Sequence, residues 1–114
     1  IPLADNSADA VICTLVLCSV NDPAAALAEM KRVLKPGGKL IFIEHVAGPK
    51  KSGLRYVQDI INPINRALAD GCNCNRETWF TIQEAGFTTV ELVHHRLKGP
   101  LKLHAPHIMG YALK

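Results

Sequence analysis

The chain has 114 residues, of which 48% are hydrophobic, 20% are charged and 5% are aromatic, and its formal net charge at pH 7 is +3. This composition is typical of a globular domain or part of one. The modest charge, the few aromatic residues and the lack of a long basic stripe argue against a nucleic-acid partner. No run reaches the roughly twenty apolar residues that a membrane span needs.

The first predicted unit is a strand, a helix and a second strand. The apolar run Ala10–Leu17 hardly alternates, which is typical of a parallel strand covered by helices on both faces. A helix follows from Pro23, with Asn21 or Asp22 as its N-cap. Its apolar face carries three residues at helical spacing, Leu27, Met30 and Leu34. The turn Pro36–Gly38 ends this helix, and Lys39–Ile43 reads as the second strand.

Such a crossover is right-handed in nearly all known cases, so the two strands should lie parallel in one sheet. Ligands of parallel sheets bind beyond the carboxyl ends of the strands. The sequence therefore predicts a site formed by Thr14–Ser19 and Glu44–Gly48. Within the first segment, burial preferences predict that Leu15 and Leu17 belong to the core.

The remaining elements follow from periodicity and turn residues. His45–Gly53 should be a loop at the rim of the site, followed by an amphipathic helix, Leu54–Leu68, that Pro63 should kink or divide. Its apolar stripe should either roof a pocket or cover one face of the sheet. The later predictions are a helix over Arg76–Ala85, a strand over Thr88–His95, an irregular segment over Lys98–Pro106 and a closing strand over His107–Leu113. The two strands should pair antiparallel.

The four cysteines indicate a reducing compartment rather than disulfides. Cys13 and Cys18 lie in or next to an apolar strand, where free cysteine behaves as a small hydrophobic residue. Cys72 and Cys74 form a C-x-C pair that has no second pair and no adjacent histidine. Tetrahedral zinc sites usually need four ligands, so this pair is interpreted as loop cysteines and no metal is expected.

The order of these motifs resembles the second half of class I S-adenosylmethionine-dependent methyltransferases. The segments that carry this resemblance are Ile1–Ser7, Asp22–Pro23, Arg32–Gly38 and Glu84–Phe87. A narrower resemblance, to the membrane-associated methyltransferase-like seven proteins that methylate thiols, is carried by Cys13–Val20, Glu44–Val46, Asp70–Cys72 and Pro106–Gly110.

The resemblance implies an α/β fold: the C-terminal half of a Rossmann-like sheet, with strands four to seven, flanking helices and an antiparallel last strand. Residues 1–114 would then form a partial methyltransferase domain without the glycine-rich half that holds the cofactor. It implies S-adenosyl-L-methionine as cofactor, held in part by Thr14, Leu15 and Val16, and a small-molecule thiol as substrate. The substrate-binding residues would be Cys18, Ser19, Glu44 and His45.

His45 is the candidate catalytic base, because it alone among the five histidines follows a predicted parallel strand directly. His94, His95, His104 and His107 belong to the distal strands, where surface or packing roles are expected.

The resemblance also implies membrane association through a segment outside this sequence. The corresponding location is the cytoplasmic face of the endoplasmic reticulum or lipid droplets. The alternative function is a noncatalytic module at a membrane or lipid surface, for which the helix Leu54–Leu68 and the basic Lys50 and Lys51 would be suited. Half of a nicotinamide dehydrogenase is a third possibility, which Pro36–Gly38 and Glu84–Phe87 argue against.

Overall fold

The computed structural model describes residues 1–98 and 102–114. It has the predicted mixture of helices and strands. The strands are β1 (Ala8–Thr14), β2 (Leu34–His45), β3 (Thr89–Arg96) and β4 (Pro106–Leu113). The helices are α1 (Pro23–Val33), α2 (Gly53–Leu68) and α3 (Thr78–Glu84), together with a short 3₁₀ helix, Lys102–His104. Of the predicted irregular segment Lys98–Pro106, residues 99–101 lie outside the described residues.

The four strands form one sheet in the order β1-β2-β4-β3. β1 and β2 are parallel, which confirms the predicted crossover through α1. β4 lies between β2 and β3 and is antiparallel to both of them. The predicted antiparallel pairing of the last two strands is thus confirmed.

The first unit has the predicted parts with shifted boundaries. The side chain of Asp22 caps α1 by accepting a hydrogen bond from the Ala25 backbone N–H, at 2.9 Å, and Pro23 is the first helical residue. The helix ends at Val33, and β2 already begins at Leu34. The pairing jumps from Ala8 with Leu34 to Ala10 with Lys39, so the Pro36–Gly38 turn forms an irregularity inside the strand.

Only one face of the sheet is covered by the described residues. Against this face, α1 and α3 bury a core that includes Cys13, Leu17, Leu27, Leu40, Phe42, Ile82 and Ile108. The opposite face exposes Ile12, Ile41, Ile43, Val93 and Met109, with Ile12 76% exposed. The predicted cover on both faces is therefore wrong for these residues, because alternate side chains of β1 and β2 face solvent.

Helix α2 differs most from its prediction. It runs unbroken through Pro63, so the proline does not divide it. Gln58 and Asn65 are its buried residues, whereas the predicted apolar stripe lies on the exposed side. The exposed apolar residues are Tyr56, Val57, Ile60, Ile61, Ile64 and Leu68. The stripe thus does not cover the sheet, since the polar face of α2 is the one that binds the rest of the chain.

Helix α3, Thr78–Glu84, is shorter than the predicted helix Arg76–Ala85. The Asn75 side chain donates a hydrogen bond to Asp59, and the helix starts after Glu77 without a side-chain cap. Ile82 is buried and Phe80 is exposed. Among the described residues, no helix combines the length and the apolar character needed to cross a membrane.

Candidate active site

Glu44 organises the turn that follows β1. Its side chain is completely buried at the end of β2. Oε1 accepts hydrogen bonds from the backbone N–H groups of Val16 (2.9 Å) and Leu17 (3.1 Å), and Oε2 accepts one from Cys18 (3.1 Å). The Cys13 thiol also donates to Oε1, at 3.3 Å. Both carboxylate oxygens are thus bound inside the protein, and substrate binding by Glu44 stays a prediction.

This anchor explains why β1 ends at Thr14 and not at Leu17. Leu15 adopts a positive φ of 54°, which takes the chain out of the extended conformation and turns the next three N–H groups toward Glu44. Leu15 is 47% exposed, so its predicted place in the core is wrong, while Leu17 is buried as predicted. Thr14, Leu15 and Val16, the three predicted cofactor-binding residues, all have exposed side chains at the carboxyl end of β1.

The loop between α2 and α3 is fastened to the same turn. The Asn73 backbone N–H donates to the Cys18 carbonyl at 2.8 Å. Arg76 Nη1 donates to the carbonyls of Leu17 (2.6 Å) and Val20 (2.8 Å). Gly71 has φ of +81°, and a Cβ there would lie 3.1 Å from the Ser19 carbonyl oxygen. The loop can approach the turn this closely because residue 71 is glycine.

Three side chains from separate segments meet at this junction: Cys18, His45 and Cys72. The Cys72 Sγ lies 3.6 Å from His45 Nδ1, and the potential ligand atoms of all three residues lie within 4.8 Å of one another. The fold therefore supplies the histidine that the C-x-C pair lacks in sequence. Cys74 lies apart from this group and contacts the Gln58 carbonyl and the Asn62 side chain.

His45 is enclosed by two further histidines. The ring centroids of His104 and His107 lie 4.7 Å and 5.7 Å from that of His45. His107 is opposite His45 in the β2–β4 pairing. The expectation that His104 and His107 lie away from the site is therefore wrong, because β4 returns beside β2. Burial, followed by the two neighbouring imidazoles, lowers the pKa of His45 to about 4.

The Cys18 thiol is buried beside the turn, and Ser19 next to it is half-buried. Burial is the main cause that raises the pKa of Cys18 to about 12, with Cys72 and Glu44 adding to the shift. This direction argues against Cys18 as a nucleophile, because the thiolate is the reactive form.

The polar face of α2 holds the exit of β2 in place. Gln58 Oε1 accepts a hydrogen bond from the Gly48 N–H at 2.7 Å, and its Nε2 donates to the Leu103 carbonyl at 2.9 Å. Asn65 Nδ2 donates to the Cys72 carbonyl at 2.7 Å. A cavity of about 420 Å³ opens beside this loop, with Gly48, Trp79, His95 and His107 in its wall. The inward-facing roles of Gln58 and Asn65 were not predicted from the sequence.

Comparisons with known proteins match this architecture. The methyltransferase domain family matches residues 1–42. Thiol S-methyltransferase TMT1B of Rattus norvegicus is 46% identical over 112 residues, which are 98% of this chain and 46% of that protein. Thiol S-methyltransferase TMT1A of Homo sapiens is 43% identical over the same shares. The chain spans about half the length of these curated relatives.

Solved structures support the fold independently of close sequence similarity. A SAM-dependent methyltransferase of Thermotoga maritima covers the whole chain with a TM-score of 0.72 at 23% identity, and 59% of that protein is matched. A SAM-dependent methyltransferase of Methanosarcina mazei also gives 0.72, at 19% identity, with 62% of it matched.

The predicted resemblance to class I methyltransferases is thereby confirmed, in sequence as well as in fold. Within this class, the relatives that match nearly the whole chain include thiol S-methyltransferases, and the chain is a homologue of them.

Proposed function

We propose that the complete protein transfers a methyl group from S-adenosyl-L-methionine to the sulfur of a small-molecule thiol. The observation that carries this proposal is the identity of 43–46% to thiol S-methyltransferases over 98% of the chain. The carboxyl edge of β1 and β2, where ligands of such sheets bind, is also where the structure brings Cys18, His45 and Cys72 together.

The cofactor would be held from this chain by Thr14, Leu15 and Val16. Leu15 and Val16 present apolar side chains to solvent at the strand end, which suits contact with the planar and aliphatic parts of such a ligand. Glu44 keeps this turn in one conformation through three backbone N–H groups. When bound, the cofactor supplies a methyl group on a positively charged sulfur.

The acceptor would be held by Cys18, Ser19 and His45, with its sulfur in line with the methyl group. Alignment of this kind is the main requirement for a direct displacement. The acceptor thiol loses its proton, its sulfur forms a bond to the methyl carbon, and the electrons of the broken carbon–sulfur bond remain on the donor sulfur. The thiolate is the reactive form, and a free thiol has a pKa near 8.5, so the site must favour loss of this proton.

His45 remains the proposed residue that acts on the acceptor thiol. As a free base it is weak, because its pKa is lowered to about 4. Proton transfer to it from an ordinary thiol is uphill by roughly 6 kcal/mol. We expect His45→Gln to lower kcat more for a thiol of high pKa than for one that is already ionised, with unchanged cofactor affinity. Equal losses for both thiols would mean that His45 only shapes the pocket.

The reaction is tested with the full-length protein and a matched pair of acceptors, benzyl mercaptan and benzyl alcohol. A donor with a deuterated methyl group allows the product to be identified by mass spectrometry. We expect the labelled thioether from the thiol and no ether from the alcohol. Absence of methyl transfer to any of a panel of thiols, in protein that binds the cofactor, would contradict the proposal.

We also propose that the complete protein is associated with a membrane, at the cytoplasmic face of the endoplasmic reticulum or at lipid droplets. The exposed apolar face of α2 supports this, since an amphipathic helix of this kind can lie in a membrane interface. Leu68, at its end, is 84% exposed. Lys50 and Lys51 precede the helix and are exposed, so they could contact anionic headgroups.

A noncatalytic lipid-surface module is the second candidate function, and the same face of α2 is the observation that favours it. Flotation of the full-length protein with phosphatidylcholine–phosphatidylserine vesicles tests the contact. Ile64→Ser with Leu68→Ser should reduce flotation, whereas Val93→Ser on the open sheet face should not. If another part of the protein covers α2, the double variant would lose stability and float normally. Methyl transfer distinguishes the catalytic function from the noncatalytic one.

A further inference from the structure

We propose that Cys18, His45 and Cys72 form a zinc site with three protein ligands and one open position, which the acceptor thiol occupies as a thiolate. The zinc site stands on the geometry of the three side chains. The identity of the fourth ligand rests on the proposed function, and the experiments below separate the two.

The distances between the three residues are close to those that zinc requires. With Zn–S near 2.3 Å and Zn–N near 2.1 Å, the edges of a tetrahedron are about 3.8 Å between sulfurs and about 3.6 Å between sulfur and nitrogen. The Cys72 Sγ and His45 Nδ1 are 3.6 Å apart, and no pair in the group exceeds 4.8 Å. A contraction of about 1 Å is therefore sufficient to complete the coordination.

The burial of these side chains points in the same direction. Cys18 and His45 are each 2% exposed. Both cysteines are free thiols. Among the described residues, the Cys18 Sγ makes long contacts, 3.5 Å to the Leu15 carbonyl and 3.6 Å to Ser19 Oγ, and lies within 4.8 Å of the Cys72 Sγ. Little internal bonding is lost when these groups bind an ion instead.

The surrounding framework fixes all three ligands. Cys18 lies in the turn whose N–H groups bind Glu44, and His45 is the last residue of β2. Asn65 holds the Cys72 carbonyl, while Asn73 holds that of Cys18. The ligands therefore come from three distant segments that separate contacts bring to one point. In the part of the chain that the structure describes, no other three His, Cys, Asp or Glu side chains are grouped for metal binding.

The ligand set favours zinc and leaves it reactive. Thiolate sulfur and imidazole nitrogen are common zinc ligands, and three protein ligands with an open fourth position are typical of catalytic zinc sites. Binding releases one proton from each cysteine, so two thiolates balance the charge of the ion. An acceptor thiol that binds at the open position releases its proton as well, so His45 acts on it through the metal and not as a base. The Arg76 guanidinium, which is fixed on the carbonyls of Leu17 and Val20, interacts electrostatically with Cys18 and Cys72 and offsets the resulting negative charge.

Metal binding is measured first, on the full-length protein and without any methyl donor. Zinc X-ray absorption of the wild-type protein should show two sulfur ligands near 2.3 Å and one imidazole. Cobalt(II) added to metal-free protein should give thiolate-to-metal charge-transfer bands. A wild-type protein that retains no zinc and gives no such bands would overturn the site.

Variants assign the ligands. Cys72→Ser should weaken cobalt affinity by more than about 100-fold, the upper range for loss of an outer-shell partner. Cys74→Ser is the matched control, because Cys74 lies two residues away and outside the cluster. It should retain the bands. Circular dichroism verifies that both variants are folded, and the X-ray absorption result does not depend on either. Equal affinity in Cys72→Ser and wild type would overturn the assignment.

The open position is tested by adding benzyl mercaptan to the cobalt protein. We expect a stronger charge-transfer band from a third sulfur ligand, and no change with benzyl alcohol. An unchanged spectrum in a protein that methylates thiols would overturn thiol binding at the metal and leave the proposed function intact. A spectrum that responds to the thiol, in a protein that transfers no methyl group, would instead contradict the proposed function and retain the site.

Discussion

Replacing Glu44 by glutamine changes one atom of a buried side chain that receives three backbone hydrogen bonds. The glutamine oxygen can still accept from Val16 and Leu17. Its NH₂ group then faces the Cys18 N–H, so a donor meets a donor in a buried place. The loss of one hydrogen bond to a charged group, together with the unsatisfied N–H, predicts destabilisation by roughly 2–4 kcal/mol.

This loss is large compared with a total stability of about 5–15 kcal/mol, so urea unfolding of the full-length protein should detect it. Glu84→Gln is the control, because Glu84 is exposed on α3 and should change the unfolding free energy by less than about 0.5 kcal/mol. Calorimetry with S-adenosylhomocysteine should also show weaker binding by Glu44→Gln, since the turn carries Leu15 and Val16. An unfolding free energy equal to that of the wild type would refute the role of Glu44 as the anchor.

Two further predictions concern the isolated 114-residue chain, and a third concerns the thiols of the full-length protein. This chain should bind S-adenosyl-L-methionine very weakly, so micromolar affinity in calorimetry would contradict the partial-domain interpretation. The isolated chain should also self-associate through β1, because β1 is an edge strand with an exposed Ile12. Ile12→Lys should therefore raise the monomer fraction in sedimentation. A wild-type chain that is monomeric at high concentration would count against this prediction. In the folded, metal-free full-length protein, iodoacetamide at pH 8 should label half-buried Cys72 at least about tenfold faster than Cys13, whose burial raises its pKa to about 12. Equal labelling would mean that Cys13 is not enclosed.

The parts of the fold that local patterns predicted are those whose causes are local. Asp22 and Pro23 start α1 through neighbouring backbone groups, and the apolar runs of β1 and β2 need only each other to pair. The end of β1 could not be predicted in this way, because it depends on Glu44, 28 residues beyond Val16. The place of β4 between β2 and β3 agrees with the resemblance to methyltransferases, not with any periodicity.

Helix α2 shows a second limit of sequence patterns. Periodicity located its apolar stripe correctly but could not determine which face binds the protein. Gln58 and Asn65 provide hydrogen bonds to the loops around the site, so the polar face turns inward. The sequence did carry a sign of this orientation, because Gln58 and Asn65 lie at the spacing of one helix face.

The sequence predicted the location of the candidate site better than it predicted the residues that form it. The predicted strand ends correctly indicated that Thr14–Ser19 and His45 lie close together at one edge of the sheet. Cys72 was missed as a member of the cluster, because a C-x-C pair alone gives no sign of the histidine that β2 supplies. His107 was predicted in the last strand, but its position beside His45 was not, since that position depends on the return of β4.

A crystal structure of the full-length protein with S-adenosylhomocysteine would test the central claim most directly. We predict that the ligand contacts Thr14, Leu15 and Val16, and that its sulfur faces the space beside Cys18, His45 and Cys72. Binding of the ligand on the open sheet face around Ile41 and Met109, or anywhere away from the carboxyl ends of β1 and β2, would contradict this account.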